Sequence, residues 1–293
     1  MLTLVKAQVW KYKSIEDSTP VSVSSEVTVL VGKNESGKTA FLEALHKAMP
    51  LDATKFKYDY VADYPRKDLV RYRPQHEAKN FQKVVELTFR IEPALAEKIN
   101  QEVFGGTAIV TAGTTFTRNT SYGNTSTVGF QIPEAQALAA LQKPLAGLEH
   151  KDEVFAGAAN LIDVLNKIEA LGLAADSKLA AFAKLWRSRA RATSWGLIEG
   201  HIWQTYLSPM LPKFLYFDDY SLLEGKINLP SLQARETAKQ LTDADETAQG
   251  LLQLAGATLQ ELMSDEGYET AKAKLEACLL YTSPSPRDGL LSR

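Results

Sequence analysis

Cysteine occurs once in the 293 residues, at Cys278, so neither a disulfide framework nor a cysteine-based zinc site can brace this chain. The four histidines, His46, His76, His150 and His201, fall at no ligand spacing, which argues against a histidine metal centre. No apolar run approaches the ~18 residues that a membrane span needs, and the opening MLTLVKAQVWKYKSIEDS lacks the charged-then-apolar order of a signal peptide. Charge of neither sign dominates: 33 Lys and Arg against 35 Asp and Glu leave a formal net charge of −2. No global field therefore recruits nucleic acid or anionic lipid, and any such binding needs a local patch. Internal repeats are absent, and no heptad pattern lasts long enough for a coiled-coil arm. What remains is a globular, cytoplasmic, non-membrane protein. Its 45% hydrophobic and 23% charged residues can build a substantial core, and its length suits one large or two ordinary domains.

What is present begins with alternation. Residues 2–10 alternate as a half-buried strand does, residues 11–20 carry the turn formers Asp17, Ser18 and Pro20, and residues 21–31 are β-branched, ending in the run Val27 to Val31 that reads as a buried strand. Thr39 to Met49 reads as a helix with Phe41, Leu42, Leu45 and Met49 on one face. Residues 51–83 are polar, aromatic and basic, with Pro65 and Pro74, and read mostly as loop. Lys83 to Ile91 alternates again, Pro93 to Val103 reads as a short helix, and residues 107–133 predict a β-hairpin turning at Tyr122-Gly123-Asn124. From Glu134 the composition shifts to Ala and Leu at helical spacing, interrupted by Pro144 and Gly172, which predicts two to four helices up to residue 207. An apolar strand is expected at 214–217, ending in Asp218-Asp219, then amphipathic helix over 243–276.

Chemistry is concentrated in Gly32-Lys33-Asn34-Glu35-Ser36-Gly37-Lys38-Thr39, which fits G-x-x-x-x-G-K-[ST] in full, between an expected strand and an expected helix. Glycines at 32 and 37 let the backbone wrap closely around phosphates. The amides of residues 33–39 can then point inward as an anion nest, at the positive end of the helix that opens through Ala40. Lys38 can reach β- and γ-phosphate oxygens and is the candidate catalytic residue, and the Thr39 hydroxyl can coordinate Mg²⁺. The expected cofactors are ATP and Mg²⁺. No N-K-x-D guanine-recognition motif follows the loop, which leaves a GTPase or small-molecule kinase a weak alternative.

With VTVLV ahead of GKNESGKT and Lys11-Tyr12-Lys13-Ser14-Ile15-Glu16-Asp17 near the N-terminus, the sequence resembles the ABC-type ATPase heads of the SMC, RecF and OLD proteins, most closely bacterial AAA family ATPases of the OLD type. Tyr64 to Leu69 and Pro212 to Tyr220 share that look. The resemblance implies an α/β fold, an incomplete P-loop NTPase head. Residues 1–133 would be its N-terminal lobe, 134–207 a helical insertion, and 208–277 a returning strand with further helices. It implies that the Lys13-Ser14 turn lies beside the nucleotide, though an ordinary solvated turn is an equal reading for Lys13, and that Asn34 shapes the loop. It also implies a homodimer through the heads, DNA as a partner, and a role in DNA repair or phage defence. A nucleotide-gated interaction module without significant turnover is the alternative.

Several parts of such a head are not found. No LSGG-like signature occurs, Gln75 and Gln82 stand at no compelling spacing for a glutamine loop, and no carboxylate cluster of a Toprim nuclease follows residue 230. The one candidate for a Walker B acid is Asp218, where a plain strand end is the commoner reading. Two basic stretches, Lys184 to Arg191 with Trp186 and the loop from Tyr60 to Arg73, are candidate nucleic-acid contacts, each with a solvated surface as its alternative. Finally, LLYTSPSPRD within residues 278–293 resembles read-through of a sequencing-library adapter. That reading makes the tail non-native and the chain a fragment of a longer protein, and the tail is set aside for fold reasoning.

Overall fold

Val85, Leu87, Phe89 and Ile91 point to one face of a strand, and none of them keeps any exposed surface. They belong to β4 (Lys83–Ile91), the centre of a sheet in a computed structural model. The structure describes residues 1–293 except 34–35, 51–52, 55, 175, 191–194, 217–225, 239, 265 and 283–293. On one side β4 pairs with β1 (Leu2–Tyr12), on the other with β5 (Thr115–Ser121). Short strands β2 (Ile15–Asp17) and β3 (Val21–Ser22) pair with β1, and β6 (Ser126–Val128) pairs with β5. Every pairing among the described residues is antiparallel, in the order β2-β1-β4-β5-β6 with β3 also on β1. The register sets Ala7 opposite Leu87, Leu87 opposite Arg118 and Arg118 opposite Val128, one row across the covered face.

The chain thus combines helices and an antiparallel sheet, and several expectations need correcting. The alternating strands at 2–10 and 83–91, the helix at 93–103 and the hairpin turning at 122–124 are present. The strand expected over Val27 to Val31 is not: these residues form no strand, and Val27, Val29 and Val31 are 69%, 73% and 90% exposed. β propensity stabilises a strand only through cross-strand neighbours and cover, and no described strand flanks this run. The segment read as turn over 11–20 contains β2, because a two-residue turn after Tyr12 lets Ile15 pair back onto Tyr12.

Helix α1 (Lys38–Ala48) packs on β1 and β4 through Ala40, Phe41, Ala44, Leu45 and Ala48. Leu42, expected on that face, is 44% exposed. Residues 51–83, expected as loop, hold α2 (Tyr60–Asp63) and α3 (Leu69–Glu77). Asp59 caps α2 by accepting from the Val61 N–H, and α3 continues through Pro74, which forgoes the helical bond to the Val70 carbonyl. These two helices are held by an aromatic layer. Tyr64 and Tyr72 stack at 4.1 Å and 5°, and Tyr122 of the hairpin approaches both, at 5.4 and 5.7 Å. Tyr58 lies edge-on to Tyr122 and to Tyr12. All five rings are buried.

After α4 (Pro93–Phe104) come five further α-helices rather than two to four: α5 (Glu134–Gln142), α6 (Lys151–Phe155), α7 (Leu161–Ala170), α8 (Lys178–Arg189) and α9 (Leu197–Ile202). Gly172 makes one of the breaks expected, and glycines in the left-handed region at 147 and 157 supply the additional ones. A single π turn, Trp203–Leu207, ends α9 and brings Trp203 edge-on to Phe116 of β5 at 6.0 Å. These elements form one compact unit, Met1–Lys213.

The second unit, residues 214–293, is described by itself. It holds α10 (Leu229–Thr237), α11 (Asp243–Leu254), α12 (Leu259–Met263) and α13 (Tyr268–Thr282) around Leu252, Ala257 and Ala271. Residues 214–216 are not a regular strand, and Asp218 lies outside the described residues. The helix expected over 243–276 is three helices, broken after Leu254 at Gly256 and again at Gly267. The last runs past Glu276, since Leu279, Leu280 and their neighbours are compatible with helix. No helix among the described residues is long and apolar enough to cross a membrane.

Candidate functional site

At the start of α1 the backbone does what the glycine at 37 allows. Gly37 is the N-cap, at φ 90° and ψ 9°, in the left-handed region that a β-carbon disfavours. An added Cβ would also meet Ile15 Cγ1 at 3.0 Å and Ser14 Oγ at 3.3 Å, so the β1–β2 turn sits against the loop. The first intrahelical bond runs from the Phe41 N–H to the Gly37 carbonyl, at 2.8 Å. The amides of Lys38, Thr39 and Ala40 therefore have no partner within the helix. No side chain caps them and no acid stands in the first turn, so the positive end of the helix dipole is left unopposed there.

Around these amides lies an open cleft of about 700 Å³, lined by Lys13, Ser14, Gly37, Lys38, Thr39, Ala40 and Glu43. Lys38 folds back over the loop: its Nζ donates to the carbonyls of Gly32 and Lys33, at 2.7 Å each. The Ser36 N–H donates to the Lys33 carbonyl at 3.2 Å. A Cβ at Gly32 would come within 2.8 Å of Ser36 Oγ, so the loop closes tightly at both glycines. Thr39 is exposed to the cleft. Asn34 and Glu35 lie outside the described residues.

Lys13 reaches the same cleft by a different route. It takes a left-handed φ of 50°, and its N–H donates to the Asp63 carbonyl at 2.6 Å. Its ammonium pairs with Glu43, one turn along α1. Asp63 is 2% exposed and accepts from Lys47 Nζ at 2.8 and 2.7 Å and from the Asp59 N–H at 2.9 Å. One buried residue thus ties the β1–β2 turn, α1 and α2 together. Reading the sequence missed Asp63 and Glu43, and the N-cap pattern at Asp59 was the signal that could have placed α2.

Other candidates fall elsewhere. Trp186 is 2% exposed, edge-on to His201 at 5.6 Å, so it is not available to stack on a base. Burial, followed by the charge of Arg189, pushes His201 down to about 4. Arg187 is spent on Glu169 and Asn166, at 2.8 and 2.6 Å, and Arg189 lies over the Trp186 ring at 4.8 Å. In the stretch from Tyr60 to Arg73, Lys67 pairs with Glu16 and Arg73 with Glu77, both at 2.8 Å, while Arg66 and Arg71 are exposed. Gln75 and Gln82 do not line the cleft. Among the described residues no group of three His, Cys, Asp or Glu could hold a metal ion. No family model, curated protein or solved structure matches the chain.

Proposed function

We propose that the chain binds ATP with Mg²⁺ at the loop spanning Gly32 to Ala40. The observation that carries this reading is the start of α1: a left-handed, uncapped Gly37 leaves three helix amides facing a cleft that also holds Lys13 and Lys38. That arrangement suits a polyphosphate, which would take the amides, the helix dipole and two ammonium groups together. Both glycines fit a cradle that closes on phosphate oxygens, since a side chain at either would collide with the loop or the adjoining turn. Thr39 is the residue that would hold the metal ion, with the phosphates completing its coordination. The bound metal neutralises charge on the phosphates, and the chain's own part is to orient them through Lys38, Lys13 and the amides.

The resemblance of GKNESGKT and its flanks to SMC, RecF and OLD heads supports a wider reading. In it two heads associate on ATP, and hydrolysis is coupled to DNA processing in repair or phage defence. A second reading, a nucleotide-gated interaction module, is favoured by Glu43: this acid, the one carboxylate among the described lining residues of the cleft, is engaged by Lys13. ATP-driven association without phosphate release would select the second reading, and DNA-stimulated release the first.

Titration of the purified chain with a fluorescent ATP analogue and Mg²⁺ tests the binding itself. Lys38→Ala removes charge-assisted hydrogen bonds worth about 1.5–3 kcal/mol, so affinity should fall about 10- to 150-fold. Equal binding by wild type and Lys38→Ala overturns the proposal.

A further inference from the structure

A second cavity, of about 480 Å³, opens at the other end of α1. Its most unusual wall residue is Arg118, placed by register on the covered face of the sheet between Leu87 and Val128. Burial lowers its pKa, the direction expected of a cation without an anion beside it. Arg118 Nη1 donates to the Ala48 carbonyl and to Thr120 Oγ1, each at 3.0 Å. A guanidinium has five N–H groups, so Nε–H and both Nη2–H groups are left without a partner among the described residues. Lys213 lines the same cavity and makes no ion pair among the described residues. No acid is among the described lining residues.

The same cavity is lined by Trp195 and Trp203, both partly exposed, with ring centroids 5.5 Å apart and planes at 59°. Trp203 sits on the π turn that ends α9, an irregularity frequent at functional sites. Ser126 and Ser208 add exposed hydroxyls at the rim. Two cations match a dianionic phosphate better than a single carboxylate, and indole faces stack on any planar base. The volume lies within the range of small-molecule pockets, roughly 300–1,000 Å³.

We propose that this cavity binds a nucleotide unit, its phosphate on Arg118 and Lys213 and its base against the Trp195–Trp203 pair. The unit comes either free, as a mononucleotide, or as one residue of a single strand. The site is separate from the loop at the other end of α1 and stands whether or not that loop binds ATP.

The test is done in the full chain carrying Lys38→Ala, which weakens the loop's own binding, following tryptophan emission and heat of binding. Thymidine monophosphate and a short oligothymidylate should each quench emission at one site per chain. Comparable affinity assigns a free nucleotide, and a more than tenfold advantage for the oligomer assigns a strand. Arg118→Gln should weaken binding about 10- to 100-fold. Lys213→Gln changes an exposed side chain, leaves the fold untouched, and should weaken it about 3- to 10-fold with a shallower salt dependence. Absence of quenching by both probes, unchanged affinity in Lys213→Gln, or equal binding of phosphate-free thymidine overturns the proposal.

Discussion

Two valine-bearing stretches of this chain meet opposite fates. Val84 and Val85 in β4 have no exposed surface, whereas Val27, Val29 and Val31 just ahead of Gly32 are 69%, 73% and 90% exposed. Both stretches are rich in β-branched residues, and both read as strands. The difference is company. β4 is hydrogen-bonded on both sides and covered by α1, while the 27–31 run has no pairing strand among the described residues. A strand is a property of neighbours as much as of its own side chains. The loop that follows nevertheless takes its shape, because its fixed points lie elsewhere: Gly37 against Ile15, and the Lys13 turn on Asp63.

The comparison can be broken in order of expected effect. Phe89→Ala at the buried heart of β4 should cost about 3–5 kcal/mol in urea unfolding. A cost under about 1 kcal/mol would mean that the sheet is not the core of this unit. Asp63→Ala leaves Lys47 without its buried partner and should cost about 3 kcal/mol. Nucleotide binding should suffer less than stability, because the Lys13 N–H bonds to the main-chain carbonyl at 63, which alanine keeps; binding lost outright would show that the Asp63 carboxylate itself sets the turn. Gly37→Ala forces a β-carbon to φ 90° and should cost about 1–2 kcal/mol, with nucleotide affinity falling more than stability does. Val29→Thr should be near neutral, within about 0.5 kcal/mol. A loss comparable to that of Phe89→Ala would show that the 27–31 run is covered in solution.

Much of the sheet was legible because its signal is local. KVVELTFRI alternates so regularly that β4 has the bounds read from it, and Pro93 at the first turn marks α4. The start of α1 was legible for the same reason, as Gly37 and the residues after it specify a backbone shape directly. What could not be read depends on distant contacts. α2 and α3 look like loop because their prolines and charges are conspicuous, while the tyrosines that bury them close over Tyr122, far along the chain in the hairpin. Arg118 was missed although Phe116, Arg118 and Thr120 alternate, since only the pairing with Leu87 shows that their common face is the covered one. Trp186, read as a possible stacking platform, is a core side chain, whereas Trp195 and Trp203, which were not singled out, stay partly exposed.

The layer of Tyr12, Tyr58, Tyr64, Tyr72 and Tyr122 has an optical consequence. Burial pushes all five phenols above their ordinary pKa near 10. Their neutral forms therefore stabilise the fold fully below about pH 10, and that contribution drains away as pH rises through the shifted values. A buried phenol cannot lose its proton to solvent until the layer parts. Once exposed tyrosines such as Tyr268 have ionised, the slow phase of phenolate absorbance after a jump to strong alkali is then a clock for the opening of this layer, not for proton transfer. The four tryptophans, Trp10, Trp186, Trp195 and Trp203, all stand outside it. One chain thus carries two separable chromophore reporters, the tyrosines timing the layer and the tryptophans reporting on β1 and on the segment around α8 and α9.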